Sequence, residues 1–552
     1  MRPGHAFLLH HLIFSTAMHT PGAPALRMDG ETLDYQQLAN AVDAFGGGLV
    51  RLGLTRGARV AVWLDKRFET VIACFAAAAA GGAFVPVNPV LKPAQVGHIL
   101  TDSGAHTLVT SAERFAVLAE TLAACPELRH VVLTGGPVHG EREQKDIRAA
   151  EPFKVHPWNE ILSAGSGGGH RVIDADMTAI LYTSGSTGLP KGVVLSHRNM
   201  VAGAQSVAHY LENRADDVLL AALPLSFDAG FSQLTTAFAV GARVALLNYL
   251  LPRDVLTAME RERVTGLTAV PPLWIQLAQL AWPPGIGEHL RYFANTGGRL
   301  PRATLEHLRA RLTTAKPYLM YGLTEAFRAT YLPPEEAGRR PDSIGKAIPN
   351  AEVLVLREDG SECAPGEAGE LVQRGALVGL GYWNDPERTA ERYKPLPSGT
   401  GGPATGTALQ EIAVFSGDTV RRDEDGFLYF IGRRDETIKT SGYRVSPTEI
   451  EEILHATGLI GECAAFGLPH DALGHSIAVV ITPISGNTGD DAALAAAVMA
   501  ECRVRMPSYM LPSRIEVRPK TLPRTPNGKI DRKTLFCELW KMDGCDTAVR
   551  VK

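Results

Sequence analysis

The sequence has few of the features that mark secreted, metal-binding or membrane-spanning chains. Its seven cysteines are odd in number, scattered and without CxxC spacing, which argues against a disulfide framework and a zinc site. A reducing compartment, the cytoplasm, is therefore expected. No apolar run reaches the roughly eighteen residues that a membrane helix needs, so we expect no membrane span. The cysteines are Cys74, Cys125, Cys363, Cys463, Cys502, Cys537 and Cys545.

The sequence also lacks an excess of basic residues and a P-loop motif. The formal net charge of the 552 residues is −4, so nucleic acid is not an expected partner. The pattern G-x-x-x-x-G-K-[ST] cannot be fitted anywhere, which argues against a P-loop nucleotide hydrolase. The opening "MRPGHAFLLHHLIFSTA" has an apolar run that two histidines interrupt. It favours a helix that packs on the following domain over a signal peptide.

Apolar strand-like segments alternate with helical ones along most of the chain. The runs at 58–64, 82–87 and 106–111 are examples, and a helix-like segment at 93–100 lies between two of them. Such alternation predicts an α/β fold with mainly parallel sheets. The pattern changes after about residue 434 to that of a small α+β unit. We therefore predict an N-terminal body over 1–433 and a C-terminal lid domain over 434–552.

The segment "YTSGSTGLPKG" at 182–192 concentrates glycine, hydroxyl residues and one lysine between two strand-like runs. Glycine lets backbone N–H groups approach an anion, and hydroxyls add hydrogen-bond donors. Lys191 adds a compact positive charge suited to phosphate oxygens. The residues by themselves leave phosphate binding and an ordinary surface loop as equal alternatives.

This loop resembles the signature loop of the AMP-forming adenylating enzymes, which include acyl-CoA synthetases, amino-acid adenylation domains and luciferases. Five more motifs follow in that family's order: "YGLTE" at 321–325, "GYWNDPERT" at 381–389, "SGDTV" at 416–420, "GRRDETIKTSGYRVSPTEIE" at 432–451 and "PNGKIDR" at 526–532. The chain most resembles ligases found with exosortase systems and stand-alone ligases that activate L-proline for a carrier protein.

The resemblance implies an ATP site in the N-terminal body. Tyr321 and Gly322 would lie against adenine, Thr324 would contact the α-phosphate, and Glu325 would help to hold Mg²⁺, which prefers oxygen ligands. Asp418 would accept hydrogen bonds from the ribose hydroxyls, and Arg433 would reach the ribose or phosphates. The phosphate loop and the adenine segment would comprise Thr183, Ser184, Gly185, Ser186, Thr187, Gly188 and Lys191, with Gly297 and Gly298. Read alone, "TE" in "YGLTE" favours a turn with a helix-capping pair that opens a helix.

The resemblance also gives roles to residues of the C-terminal domain. Lys529 would stabilise charge on the α-phosphate, although "PNGK" alone reads as a turn with a solvated lysine. Asp435 matches the hinge about which the lid rotates, and Gly442 matches a glycine beside the thiol tunnel. Arg444 and Lys439 would face phosphates. "GYRVSPTEIEE" is also, in its own right, a strand end followed by a capped helix.

A two-step reaction follows from the resemblance. A carboxylate attacks the α-phosphate of Mg·ATP to give an acyl adenylate and pyrophosphate, and a thiol then takes the acyl group. The thiol would be coenzyme A or the phosphopantetheine arm of a separate carrier protein. His197 is interpreted as structural, because a carboxylic acid is already ionised at neutral pH and needs no base.

The segment "LPLSFDAGF" at 223–231 bears on the acid. Phe227 and Asp228 stand where amino-acid adenylation domains carry an aspartate that pairs with the α-amino group. A carboxylate in an apolar pocket is costly unless it is paired, and an ammonium group would offset that cost. We therefore hypothesise a small amino acid, proline or alanine, as the substrate. Asp228 is alternatively a helix N-cap.

Other functions stay open. The chain could be a fatty or aryl acyl-CoA ligase, or a non-catalytic scaffold, although Lys191, Glu325, Asp418 and Lys529 occurring together argue against the scaffold. A luciferase-like oxygenase has no feature in its favour.

Overall fold

The computed structural model describes most of the chain. Described are residues 6–135, 152–163, 165, 168–183, 190–300, 302–397, 400, 410–433, 438–483, 490–519, 522–523, 530 and 532–542. The chain divides into two compact units. The larger takes in residues up to Arg434 except the segment 184–190, and the smaller contains residues from Asp435 onward. The division lies one residue beyond the predicted one.

Two large sheets form the framework of the larger unit. One has nine strands in the order β16-β15-β14-β13-β12-β10-β11-β1-β2, and the other has eight in the order β19-β9-β8-β4-β3-β5-β6-β7. In the nine-stranded sheet, the paired neighbours among β1 and β10–β14 run parallel. In the eight-stranded sheet, the same holds for those among β3–β8. Short antiparallel strands lie at the edges of both sheets. The predicted α/β class with mainly parallel sheets is confirmed.

The strands of the nine-stranded sheet are β1 Pro24–Met28, β2 Glu31–Asp34, β10 Val218–Ala221, β11 Arg243–Leu246, β12 Gly266–Ala269, β13 Tyr292–Asn295, β14 Lys316–Tyr321, β15 Thr330–Leu332 and β16 Lys346–Ala347. Those of the eight-stranded sheet are β3 Arg59–Trp63, β4 Ala83–Pro86, β5 Ala105–Ser111, β6 His130–Thr134, β7 Lys154–Pro157, β8 Met177–Thr183, β9 Lys191–Ser196 and β19 Gly381–Tyr382. A third, antiparallel sheet contains β17 Ala351–Leu356, β18 Ala368–Gly375, β20 Tyr393–Pro395, β21 Ile412–Arg422 and β22 Leu428–Arg433.

Helices cover the two large sheets. In the larger unit they are His11–His19, Tyr35–Arg51, Phe68–Ala79, Pro93–Ser103, Ala112–Leu122, Trp158–Ser163, His197–Tyr210, Asp228–Val240, Pro252–Glu262, Pro271–Ala278, Ile286–His289, Arg302–Arg311 and Pro386–Arg392, with 3₁₀ turns at Thr324–Ala326 and Pro334–Glu336. Among the described residues, no helix is both long and apolar enough to cross a bilayer.

The smaller unit is an antiparallel sheet with one parallel strand and three helices among its described residues. Its strands are β23 Ile438–Thr440, β24 Tyr443–Val445, β25 Ile460–His470, β26 Gly474–Pro483 and β27 Arg514–Val517. Its helices are Pro447–His455, Asp491–Arg505 and Arg532–Met542, with a 3₁₀ turn at Ser508–Met510. The sequence "GYRVSPTEIEE" is thus a strand followed by a helix, as expected.

A buried layer of helices fills the space between the large sheets. The helix Asp228–Val240 lies in this layer, and Phe231 stacks on Phe84 with ring centroids 4.6 Å apart. Runs that are apolar along nearly their whole length, such as β3 and β4, are typical of parallel strands buried on both faces. The core therefore fixes the rotation of this helix.

The N-terminal segment is part of the same core, as predicted for an opening helix. Leu9 and Ile13 are fully buried, and the Leu9 N–H donates to Nδ1 of His197 at 3.1 Å. His197 is itself fully buried at the start of the helix His197–Tyr210, and the His10 ring lies edge-on to it at 6.1 Å. His197 therefore has a structural role.

We predict that acidification destabilises the fold through His10 and His197. Burial lowers the pKa of His10 to about 3 and that of His197 to about 4, against 6.5 in the unfolded chain. The unfolded state thus binds more protons, so stability is complete above pH 6.5 and falls as the pH drops towards 4. Urea unfolding at pH 5 should give a free energy lower by about 2 kcal/mol for each histidine than at pH 7.5.

The variant His10→Phe should flatten this pH dependence, and His209→Gln, at an exposed position on the helix His197–Tyr210, should not. Equal slopes in all three proteins would contradict a role for His10.

Candidate functional site

The glycine-rich loop connects two strands that pair directly with each other. In the antiparallel pair β8–β9, Thr183 lies opposite Lys191. The predicted tight connection between strands is therefore present. The buried Thr183 hydroxyl has no hydrogen-bond partner among the described residues, so it is available to an anion at the base of the loop. Ser184, Gly185, Ser186, Thr187 and Gly188 lie outside the described residues.

Lys191 belongs to a hydrogen-bonded chain with Tyr382 and Glu325. The Lys191 Nζ donates to the Tyr382 hydroxyl at 2.8 Å, and that hydroxyl donates to Oε1 of Glu325 at 2.7 Å. Lys191 Nζ is also 3.5 Å from Glu325 Oε1 and 4.0 Å from the centre of the Tyr382 ring. Burial, and then the charge of Glu325, raise the pKa of Tyr382 above its usual range, so the phenol stays neutral.

Backbone contacts hold this chain in place. The helix His197–Tyr210 begins with a capping box, in which the Asn199 N–H donates to Ser196 Oγ and the Ser196 N–H donates to Asn199 Oδ1. The same Asn199 side chain donates to the carbonyls of Ala376 and Val378. The segment before Tyr382 is thus tied to the start of the helix that follows β9, and Tyr382 itself pairs with Val193 of β9, two positions from Lys191.

Glu325 fits the predicted part in holding Mg²⁺. It is a buried carboxylate in the single 3₁₀ turn Thr324–Ala326. The residue at the N-cap of this turn is Leu323, and no side chain caps the turn. The helix-capping interpretation of "TE" is therefore wrong. Mg²⁺ is commonly held by one or two carboxylates plus phosphates and waters. Within the part of the chain that the structure describes, no group of three metal-binding side chains competes for this role.

The residues predicted to contact the nucleoside lie together. The Tyr321 hydroxyl donates to Oδ2 of Asp418 at 2.5 Å, and Asp418 is 1% exposed. Ser416 Oγ accepts from the Asp418 N–H and donates to the Leu371 carbonyl, which orients the carboxylate. Arg433 lies opposite Asp418 in the β21–β22 ladder.

Gly297 and Gly298 follow β13, whose parallel neighbour β14 ends at Tyr321. Both segments are thus at the carboxyl edge of the nine-stranded sheet, where ligands of parallel sheets are bound. Gly297 has a φ of +77°, and the Gly298 carbonyl accepts from Asn295 Nδ2 at 2.8 Å. Gly322 and Thr324 are the next positions after Tyr321.

The structure corrects the interpretation of Asp228. Phe227 is the N-cap of the helix, and Asp228 is its first residue, so Asp228 is not the cap. Its carboxylate is also not unpaired: Oδ2 lies 3.7 Å from Nη1 of Arg328, whose side chain is 4% exposed. Arg328 therefore already offsets part of the cost of burying Asp228, a role predicted from the sequence for a substrate ammonium.

In the smaller unit, Gly442 belongs to a two-residue hairpin turn. Ser441 and Gly442 have φ values of 52° and 82°, and Lys439 pairs with Arg444 across the hairpin. Such a turn requires positive φ at both central positions, which gives Gly442 a local reason to be glycine. Asp435 and Lys529 lie outside the described residues.

Reasoning from the sequence missed three residues in or near the candidate site. Tyr382 stood within the quoted "GYWNDPERT" motif, and Arg328 stands three residues after "YGLTE". Gln233 lies with Asp228 on a polar stripe of a buried helix, a signal that helical spacing would have revealed.

Comparison with known proteins decides the family. Residues 13–383 match the AMP-binding enzyme family, and residues 449–529 match the AMP-binding enzyme C-terminal domain. The chain belongs to the AMP-binding enzyme family. The resemblance inferred from the motifs is confirmed, and the second match ends at Lys529.

Relatives of this adenylating enzyme include two kinds of protein. A long-chain-fatty-acid–CoA ligase of Salmonella typhimurium is 28% identical over 93% of this chain and 91% of its own length. A linear gramicidin synthase of Brevibacillus parabrevis is 28% identical over 96% of this chain, which spans only 10% of that protein.

Solved structures share the fold. An amide bond synthetase from Marinactinospora thermotolerans has a TM-score of 0.80 at 24% identity, with 96% of this chain and 99% of that chain covered. An o-succinylbenzoate CoA synthetase from Bacillus subtilis has a TM-score of 0.76 at 24% identity, with 95% and 98% covered.

We predict that Tyr382→Phe weakens ATP binding about tenfold, because a hydrogen bond to a charged group contributes about 1.5–3 kcal/mol. The hydroxyl holds both Lys191 and Glu325, so its loss should misplace both. Titration with ATP and Mg²⁺ measures the effect.

The control is Tyr35→Phe, which removes another buried hydroxyl, bonded to the Ala242 carbonyl. Equal ATP affinity in the two variants would show that Tyr382 does not position the site.

Proposed function

We propose that this adenylating enzyme activates a carboxylic acid with ATP and passes the acyl group to a thiol. The main support is that Lys191, Tyr382 and Glu325 come together in one hydrogen-bonded chain. Tyr321 and Asp418 form a second hydrogen bond. These residues lie far apart in sequence and have little structural reason to be polar and buried together. Burying charged groups is costly, which supports a role in binding a charged ligand.

The first half-reaction needs alignment and charge stabilisation more than covalent help from the protein. Asp418 would hold the ribose and Tyr321 the adenine, which fixes the α-phosphate near Thr324. Lys191 and Thr183 would bind the outer phosphates. Glu325 would hold Mg²⁺, which when bound neutralises phosphate charge. Lys529 would stabilise charge at the α-phosphate.

The second half-reaction would transfer the acyl group to coenzyme A or to the phosphopantetheine of a carrier protein. Relatives named as CoA ligases support the first acceptor, and the resemblance to amino-acid adenylation domains supports the second. Asp435 would serve as the hinge, Gly442 would leave room for the thiol arm, and Arg433 and Arg444 would contact phosphates.

The acid is proposed to be an amino acid whose ammonium contacts Asp228. The Asp228–Arg328 distance of 3.7 Å is longer than a hydrogen bond, so the carboxylate keeps its capacity to accept. Proline and alanine are the candidates. A fatty or aryl acid is the alternative, supported by the named fatty-acid ligases and by leucines that line the inner cavity.

Acid-dependent exchange of labelled pyrophosphate into ATP tests the proposal. The panel contains the proteinogenic amino acids beside short, medium and long fatty acids and aryl acids. Exchange with an amino acid supports both the activation of a carboxylic acid and the choice of an amino acid as substrate. Exchange with fatty or aryl acids alone supports the alternative substrate class. Absence of exchange with every acid, when ATP binds, would favour a non-catalytic scaffold.

We predict that Asp228→Asn lowers kcat/KM for the amino acid at least about thirtyfold, since removal of one partner from a buried charge pair costs about 2–5 kcal/mol. Asp491→Asn is a matched control, because Asp491 is also the first residue of a helix but is exposed. Unchanged kinetics in Asp228→Asn would remove the amino-acid hypothesis.

A further inference from the structure

A cavity lies between the helix Asp228–Val240 and the nine-stranded sheet. Its wall contains Ala229, Ser232, Gln233 and Thr236 from that helix and Arg328 from the segment before β15. Leu219, Gly266 and Tyr292, which are paired neighbours near the amino ends of their strands, line its far end. Seven residues separate Ala229 from Thr236, so the part of the helix that lines the cavity is about 10 Å long.

The helix has two distinct faces. Phe231, Leu234 and Phe238 are buried in the core, where Phe231 stacks on Phe84 and Phe75. The cavity side instead carries Ser232, Gln233 and Thr236, and Asp228 lies next to it, 3.7 Å from the cavity-lining Arg328. Three polar side chains of the helix are thus placed where a ligand could pair with them.

Arg328 is the least satisfied of these polar groups. It is 3% exposed, and its Nε has no hydrogen-bond partner within the described part of the chain. Its contact with Asp228, at 3.7 Å, is an ion pair beyond hydrogen-bonding distance. A buried guanidinium carries five N–H donors that need acceptors. An anionic oxygen group in the cavity would supply them.

Pairing within the cavity gives the same conclusion. A plain amino acid is a zwitterion, so its ammonium and its reacting carboxylate already balance each other. If the ammonium pairs with Asp228, Arg328 loses its ion-pair partner, because the reacting carboxylate is directed to the α-phosphate of ATP, and an unpaired buried charge is costly. A second carboxylate on the substrate would pair with Arg328. Gln233 Oε1, which also has no partner among the residues described, would accept from the ammonium.

We propose that Arg328 is a specificity-determining residue and selects acids that carry a second, non-reacting carboxylate. This inference rests on the proposed function, since it concerns the acid of the same reaction. Planar guanidinium groups bind carboxylates through paired hydrogen bonds, which matches the donors that Arg328 presents. The enclosed volume of the cavity is about 20 Å³, so the side chains that line it must move apart to admit even a short acid.

The test compares acids that differ only in the second carboxylate. The pairs are L-glutamate with L-norvaline, L-aspartate with L-2-aminobutyrate, and glutarate with pentanoate. Pyrophosphate exchange gives kcat/KM for each, in the wild type and in Arg328→Met. Thermal shift by each acid, with an ATP analogue that cannot react, gives binding independently of turnover.

The wild type should prefer the dicarboxylate of at least one pair by about 10- to 100-fold, the usual effect of a charge-assisted hydrogen bond. Arg328→Met should abolish that preference, and Arg328→Lys should retain part of it. Arg214→Met, at an exposed arginine paired with Asp216, should leave it unchanged. If Arg328→Met does not fold, the double variant Asp228→Asn/Arg328→Met is measured in its place, because it removes both charges of the buried pair.

Two results would overturn the inference: no preference for a second carboxylate in the wild type, or an equal loss for both members of each pair in Arg328→Met. The latter would mean that Arg328 holds the reacting carboxylate. Absence of exchange with every acid would refute the proposed function instead, and selective binding of the dicarboxylates in the thermal assay would then still support the role of Arg328.

Discussion

The hydrogen-bonded chain from Lys191 through Tyr382 to Glu325 is the contact on which the arrangement of the site depends. It joins the eight-stranded sheet, which carries β9 and β19, to the turn that follows β14 of the nine-stranded sheet. The neutral phenol is hydrogen-bonded to both the cation and the anion, which also form a direct ion pair at 3.5 Å. The protein thus holds both charged groups in place before any ligand binds.

A second constraint is the burial of the helix Asp228–Val240 between the sheets. Its aromatic residues pack with Phe75 and Phe84, and this packing fixes which side chains face the cavity. Ser232 and Gln233 are therefore directed towards the cavity by the rotation of the helix. Arg328 reaches the same cavity from a different segment, one that follows the "YGLTE" turn. The cavity and the candidate nucleotide site thus share one piece of backbone, residues 321–328.

Polar groups in the larger unit fall into two classes. Asn199 and Ser416 are fully engaged with the backbone and serve to position other residues. The Thr183 hydroxyl, Arg328 Nε and Gln233 Oε1 are buried without hydrogen-bond partners in the described ranges. Unpaired buried polar atoms are costly, and those at the glycine-rich loop and at the cavity lie where a ligand could pair with them.

The sequence by itself determined the α/β class, the strand–loop–strand arrangement around Lys191 and the family, because alternating apolar segments and short motifs are local in the chain. It also brought Tyr321, Glu325 and Asp418 to attention as a set. Only the tertiary structure decided the partners of these residues. The pairing of Asp228 with Arg328, one hundred positions apart, and the position of Tyr382 between Lys191 and Glu325 depend on how sheets and helices pack. Such long-range contacts leave no periodic or local signal, which is why the charge state of the acid pocket could not be predicted from the residues alone.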